Sequence, residues 1–244
     1  RAGHRTHRHQ LPRLRAQTGM TSNMFPKLVL FDLDGTLLDS APDMAATVNR
    51  MRAARGQGPM PLAELRPHVS KGSRAMSAAA FPGLGGEVSG EMIREFLDTY
   101  EQELGKHSVL FDGVAELLDA IEAGGSRWGI VTNKPEYLAR QVMPQLGWDT
   151  RSAILIGGDS LPQRKPHPLP LLHSAETLGV DIADCVYVGD DQRDIDAARA
   201  AGMRSVVALW GYRPEGDDPH AWGGDVLVES ARDLLDPALW SALR

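Results

Sequence analysis

Among 244 residues the sequence has a single cysteine, Cys185, which excludes an internal disulfide. It sits in the apolar stretch CVYV (185–188), where core packing explains it better than thiol chemistry, and a reducing cytoplasm is the compartment this usage implies. No apolar run approaches the roughly 18–20 residues a membrane-spanning helix needs, so a membrane role drops out. Basic residues are outnumbered, 26 Lys and Arg against 32 Asp and Glu, giving a net charge of −6. Arg1, Arg5, Arg8, Arg13 and Arg15 stand in the first fifteen residues, which hold no acid, so the remainder is more acidic still. It offers no basic stripe to phosphates, and nucleic acid is excluded as a partner. Internal repeats and long low-complexity segments are absent too.

The basic head also carries His4, His7 and His9, which raises targeting or metal binding, but it lacks the apolar region of a signal peptide. Residues 1–23 are expected to be a disordered extension ahead of Met24.

What is present is an ordinary enzyme composition, 42% hydrophobic and 24% charged, in a chain long enough for a full core with a smaller insert. After Met24, short β-rich runs alternate with longer helical stretches. Strands are predicted at 27–32, 128–133, 153–158, 185–190, 204–209 and 225–229, the pattern of an α/β, Rossmann-like parallel sheet covered on both faces. Several runs end in Asp, Asn or Gly, and ligands of such sheets bind outside the carboxyl ends of the strands. The interval between the first two strands far exceeds a βα crossover. Ser40 reads as a helix N-cap, with Pro42 in the first turn and Asp43 favourably placed against the helix dipole; helical spacing recurs over 43–55, 61–80 and 89–105. A helical insert over 41–106 is expected, with the core formed by 24–40 and 107–244. Asp112-Gly113 marks the return to the core.

Four short motifs carry chemistry. Asp32 and Asp34, in FDLDGT (31–36), end the first strand two residues apart, so both side chains lean toward one crevice; Gly35 permits a sharp turn and Thr36 can satisfy local backbone groups. Paired carboxylates repel and are costly to bury without a counter-charge. A calcium loop does not fit, since Gly35 comes fourth and a strand precedes it. Thr132 and Asn133 end the second strand, where a hydroxyl and a backbone N–H can hold a phosphoryl oxygen or simply cap the strand. Lys165, in RKPHP (164–168), reads as either a surface lysine or a counter-charge. Finally Asp190, Asp191 and Asp194 lie close together in GDDQRD (189–194), a set that suits Mg²⁺; Asp191 as a helix N-cap and Arg193 facing solvent are alternative structural roles.

In this order, DxDGT, Thr at a strand end, Lys-Pro and GDxxxD resemble the haloacid dehalogenase-like hydrolase superfamily over about 24–235, and the insert resembles its helical type I cap. The resemblance implies a Mg²⁺-dependent phosphatase in which Asp32 is the nucleophile and Asp34 the acid/base. It further implies Thr132 and Lys165 as phosphate clamps, and a metal held by Asp32, the Asp34 carbonyl, Asp190 and, through a water, Asp194. Asp39 and Asp43 are expected to be surface or capping acids. Two branches compete for the small, carboxylate-bearing substrate. SRAM (73–76), HSVLFDG (107–113), WGIVTNKP (128–135), GDDQRDI (189–195) and GYRPEGDDPHAWGGDVLV (211–228) resemble the N-acetylmuramic acid 6-phosphate phosphatases of bacterial cell-wall recycling, which rank first; phosphoglycolate phosphatases rank second. Arg74 is the candidate reader of the substrate carboxylate. A phosphosugar mutase and a non-catalytic binding protein are the remaining alternatives.

Overall fold

The structure, a computed structural model, describes residues 24–84 and 87–243; the extension expected at 1–23 lies outside them. Strand β1 (Leu28–Phe31) is followed by β2 (Leu38–Asp39) and helices α1 (Ala41–Ala53), α2 (Leu62–Leu65), α3 (Ser73–Ala80) and α4 (Gly90–Glu103). The chain continues through β3 (Val109–Leu110), α5 (Val114–Ala123), β4 (Arg127–Val131), α6 (Glu136–Gln145), β5 (Leu155–Ile156) and α7 (Leu169–Leu178). It ends with β6 (Cys185–Gly189), α8 (Gln192–Ala201), β7 (Arg204–Ala208), β8 (Val226–Val228) and α9 (Pro237–Ala242).

Six strands form one parallel sheet in the order β5-β4-β1-β6-β7-β8. All six predicted strands are present, most trimmed at the ends. β1 is apolar at every position because both its faces are covered. Val29 and Phe31 join a cluster with Trp128, Ile130 and the α5 residues Leu117, Leu118 and Ile121. Leu28 and Leu30 join the opposite one, with Tyr187, Leu171 of α7 and Ala197 and Ala198 of α8. Cys185 is buried in this second cluster, consistent with packing.

The segment from α1 to α4 adds no strand to this sheet. Where the chain leaves for it and returns, β2 and β3 form a short antiparallel pair, Leu38 opposite Leu110 and Asp39 opposite Val109. Inside the insertion, Met44, Val48 and Met51 of α1 share a cluster with Phe96 and Tyr100 of α4. The helical spacing expected across 61–80 is interrupted: Arg66–Lys71 is a 3₁₀ turn between α2 and α3. Pro67 removes an amide donor there, and Gly72 turns the chain with φ at +88°, a left-handed value that disfavours any side chain.

Two expectations at the start of α1 are corrected. Ser40 makes no side-chain cap; its hydroxyl donates to Asp34 Oδ1 at 2.6 Å instead. Asp43 is not at the surface but fully buried. Its carboxylate accepts from the N–H groups of Gly105 (2.7 Å) and His107 (2.6 Å) and from the Ser108 hydroxyl, so α1 is tied to the segment that leads into β3. Asp39, half-buried, accepts from Arg66 at 2.9 Å and from the Tyr212 hydroxyl at 2.6 Å. No helix among the described residues is long and apolar enough to cross a membrane.

Candidate active site

Because β1 lies between β4 and β6, the residues just past these strands meet at one edge of the sheet: Asp32 after β1, Thr132 after β4 and Asp190 after β6. The Asp32 amide donates to the Val188 carbonyl at 2.9 Å, and Leu33 N–H donates to Asp32 Oδ1 at 2.8 Å, which fixes the carboxylate against the backbone. Lys165, only 2% exposed, is no surface lysine. Its ammonium lies 3.1 Å from Asp32 Oδ1 and 2.7 Å from Asp194 Oδ1, and donates to the Tyr187 hydroxyl at 2.7 Å; that hydroxyl donates to the Val131 carbonyl at 2.8 Å.

Asp190 is wholly buried and held from several sides. The Thr36 hydroxyl donates to its Oδ1 at 3.0 Å, and Tyr212 N–H (2.9 Å) and the Ser70 hydroxyl (2.8 Å) donate to its Oδ2. Gly35 has φ at +91°, and a Cβ there would lie 2.3 Å from Asp190 Oδ2, so the turn after β1 needs glycine for both its conformation and its closeness to this acid. Asp194 and Asp191 form a capping box at the start of α8, which bears out the N-cap reading of Asp191.

The electrostatics are one-sided. Burial pushes the Asp32 carboxyl up to about 7, with Lys165 drawing it back and Asp194 and Asp34 adding to the rise. Burial likewise raises Asp190 well above the usual carboxylate range, reinforced by Asp32 and Asp194. Burial would lower Lys165, but Asp194 and Asp32 outweigh it and hold the ammonium above its ordinary value. Asp32, Asp190 and Asp194 each present a carboxylate oxygen within 4.8 Å of the others. One lysine does not neutralise three buried acids, and an all-oxygen donor set of this kind fits a hard divalent cation such as Mg²⁺.

A cavity of about 360 Å³ opens above this edge, lined by Asp32, Asp34, Thr132, Asn133 and Lys165 from the sheet side and by Lys71, Arg74 and Tyr100 from the insertion. The sequence profile described as "Haloacid dehalogenase-like hydrolase" matches residues 29–208, which contain every one of these groups. The chain belongs to the haloacid dehalogenase-like hydrolases. A protein named phosphoglycolate phosphatase from Xanthomonas campestris pv. campestris is 61% identical over 216 residues, 88% of this chain and 98% of that protein. An N-acetylmuramic acid 6-phosphate phosphatase from Pseudomonas aeruginosa is 44% identical over 211 residues, 86% of this chain and 93% of the relative. Among solved structures, that of a predicted phosphoglycolate phosphatase from Haemophilus somnus 129PT superposes with a TM-score of 0.76 at 29% identity, covering 89% of this chain and 98% of the other. This hydrolase is accordingly a phosphatase acting on phosphomonoesters.

The fold of the hydrolase brings all its sequence-predicted site residues to the cavity or its floor, though some do other work there than expected. Asn133 uses its Nδ2 to bond the Lys165 carbonyl at 2.9 Å. Thr132 Oγ1 accepts from Lys134 N–H at 3.1 Å, which leaves its own O–H to donate elsewhere. Arg74 reaches the cavity wall, yet its Nη1 is bonded to the Val88 carbonyl at 2.6 Å. Arg193, read as solvent-facing, is half-buried: it pairs with Asp191 at 2.8 Å and donates to the Ser70 carbonyl of the insertion.

Three residues escaped the sequence reading. Tyr187 and Tyr100 carried no local signal. Lys134 was legible as part of WGIVTNKP but passed over, although a lysine two residues beyond a strand-end threonine is well placed to enter the same crevice. Its side chain is 3% exposed and lies 3.1 and 3.3 Å from the two Asp34 oxygens. The Asp34 side chain therefore faces Lys134 and stands apart from the three-acid group.

Proposed function

We propose that Asp32 is the nucleophile and Asp34 the acid/base of a phosphatase reaction that passes through an aspartyl-phosphate. The observation that carries the reading is the convergence of Asp32, Lys165 and Thr132 with two further acids at the floor of one cavity. Asp32 Oδ attacks phosphorus as the ester P–O bond breaks, and Asp34 delivers a proton to the departing oxygen. Asp34, now ionised, takes a proton from water whose oxygen bonds to phosphorus, and the Asp32 carboxylate is released with inorganic phosphate. Lys165 offsets charge on Asp32 and the transferring group, and the Thr132 hydroxyl supplies a donor to a phosphoryl oxygen. A bound Mg²⁺ would be held by Asp32, Asp190, Asp194 and the Asp34 backbone carbonyl, and would supply positive charge to balance the acids and the phosphoryl oxygens.

The insertion is proposed to act as a cap over this floor. The Ser70–Asp190 bond and the Lys71–Asp191 pair at 2.7 Å support that role, since each joins the insertion to the loop after β6. Arg74, on the cavity wall, is proposed to read a substrate carboxylate.

For the substrate, 2-phosphoglycolate is the first reading, supported by the relatives at 61% identity that bear the phosphoglycolate phosphatase name. The sequence motifs rank N-acetylmuramic acid 6-phosphate first, and the relatives support that order less well, at 44% and 45% identity. It stays as the second reading because the cavity, about 360 Å³, falls within the roughly 300–1,000 Å³ of sites that enclose larger ligands. The test compares kcat/KM for the two esters, with N-acetylglucosamine 6-phosphate as the sugar lacking the lactyl acid. Preference for 2-phosphoglycolate upholds the first reading. Preference for the muramic ester, with discrimination against the glucosamine ester that Arg74→Ala erodes, upholds the second.

A further inference from the structure

Lys134 is unused in the reaction as described, yet it is among the most deeply placed charges in the molecule. Its ammonium is within 3.1 and 3.3 Å of Asp34 Oδ1 and Oδ2 and donates to the Tyr100 hydroxyl at 2.5 Å, while lying 4.4 Å from the centre of the Tyr100 ring. A lysine at 3% side-chain exposure has to satisfy its three donors inside the protein, and these three oxygens do so. Ser40, at the other side, donates to Asp34 Oδ1 at 2.6 Å. Asp34 is thus oriented by one group next to the exit into the insertion and one on the loop after β4.

The chain carries a second lysine built the same way. Lys165 pairs with Asp32, donates to a tyrosine hydroxyl and lies 5.2 Å from that ring's centre. The two trios differ in where the tyrosine comes from. Tyr187 belongs to β6, hydrogen-bonded beside β1 in the sheet. Tyr100 belongs to α4 of the insertion, on the far side of the two chain crossings from Lys134. A contact between these units exists only while the insertion lies on the core.

We infer that Lys134 is the positioning residue for the Asp34 carboxylate, and that Tyr100 keeps it in place only when the insertion is docked on the core. The inference rests on the reading of Asp34 as acid/base. Binding of substrate under the insertion then completes the acid/base at the moment the cavity closes, and an open enzyme leaves Lys134 short of one acceptor and Asp34 free to reorient.

The test uses the full chain with Mg²⁺ and the variants Lys134→Met and Tyr100→Phe, each first checked for parental thermal stability. Two esters are compared: 4-nitrophenyl phosphate, whose leaving group departs without a proton, and whichever alkyl phosphate the parent turns over. For Lys134→Met the expected result on the alkyl ester is a kcat about 10²-fold lower, within the range for a misplaced acid/base, and a KM within about threefold of the parent's. On 4-nitrophenyl phosphate the same variant should release about one equivalent of nitrophenolate in a burst and then turn over slowly, because attack by Asp32 persists while water activation fails. Tyr100→Phe keeps the ring but loses the accepting oxygen, and should show a smaller kcat loss of the same kind, about three- to tenfold. A kcat within threefold of the parent in both variants overturns the inference. So does a rise in KM alone, which would make Lys134 a substrate ligand, or equal losses on both esters without a burst, which would place the damage at the nucleophile. Should Lys134→Met fail the stability check, Tyr100→Phe decides alone. A parent whose turnover survives Asp32→Asn would fail the underlying reading instead, so the two failures are told apart.

Discussion

Asp32 and Asp34 sit two residues apart and are held by two different kinds of structure. Around Asp32 the contacts come from the parallel sheet or the loops at its edge: Lys165, Leu33 N–H and the Val188 carbonyl directly, with Asp194 and Tyr187 holding Lys165 in turn. Around Asp34 the partners straddle the junction with the insertion: Ser40 beside β2, Lys134 from the core, and Tyr100 behind it from α4. The first carboxylate is fixed by elements that stay hydrogen-bonded as long as the sheet exists, whereas the second depends on side-chain contacts between two packed units. In the proposed roles the difference is a division of labour: the proposed nucleophile is ready before substrate arrives, while the proposed acid/base, which activates water, is completed after closure.

The largest effect that could break this comparison is expected at the two acids themselves. Asp32→Asn should abolish turnover below detection, and chelation of Mg²⁺ should do the same to the parent. Asp34→Asn should retain formation of the aspartyl-phosphate from 4-nitrophenyl phosphate while losing about 10²–10⁴ in steady-state rate. Rapid-mixing kinetics with trapping of the phosphorylated enzyme checks both; comparable behaviour of the two variants would erase the distinction between the acids.

A smaller effect is expected where the insertion joins the core. Asp43→Ala removes the acceptor for Gly105 N–H, His107 N–H and the Ser108 hydroxyl, and should cost about 1–3 kcal/mol in denaturant unfolding. Hydrogen exchange should quicken at 105–108 and not in β1. Uniform quickening across both regions would mean that the insertion and the sheet do not differ in the way argued.

The smallest concerns acid. Burial pushes Asp191 up, but hydrogen bonds and charge from Arg193, with help from Lys71, outweigh it and hold the carboxyl below its ordinary value of 3.8. A depressed folded-state value contributes stability that is fully present above about pH 3.8 and is lost as the pH falls from there through the folded value. Comparing the parent with Lys71→Met across that window should show a smaller acid-induced loss in the variant. Identical profiles would remove Asp191 from the contacts that hold the insertion down.

Much of this molecule was legible before it was folded. The six strands announced themselves because strands covered on both faces must be apolar throughout, and the polar residues that ended those runs had to fall at one sheet edge. Asp32, Thr132, Lys165, Asp190 and Asp194 were named from spacing and family resemblance, and the long interval after β1 already pointed to an inserted helical unit. The errors gathered at residues whose role depends on something distant. Asp43 looked like a dipole-facing surface acid, since nothing nearby says that residues 105–108 will close over it. Arg193 looked solvated, since the Ser70 carbonyl that meets it lies far along the chain. Lys134 was passed over because its value depends on a tyrosine from another unit.

The sequence by itself therefore determined the α/β sheet and the placing of the acids at the strand ends, because hydrophobic periodicity and strand-end chemistry act over a few residues. Tertiary structure alone decided which lysine serves which aspartate and which tyrosine stands behind each. It also decided that one of these trios lies wholly in the sheet and the loops at its edge while the other spans two units. Those pairings join side chains 22 to 133 residues apart, and a buried ammonium is stabilised only by the oxygens that packing delivers to it.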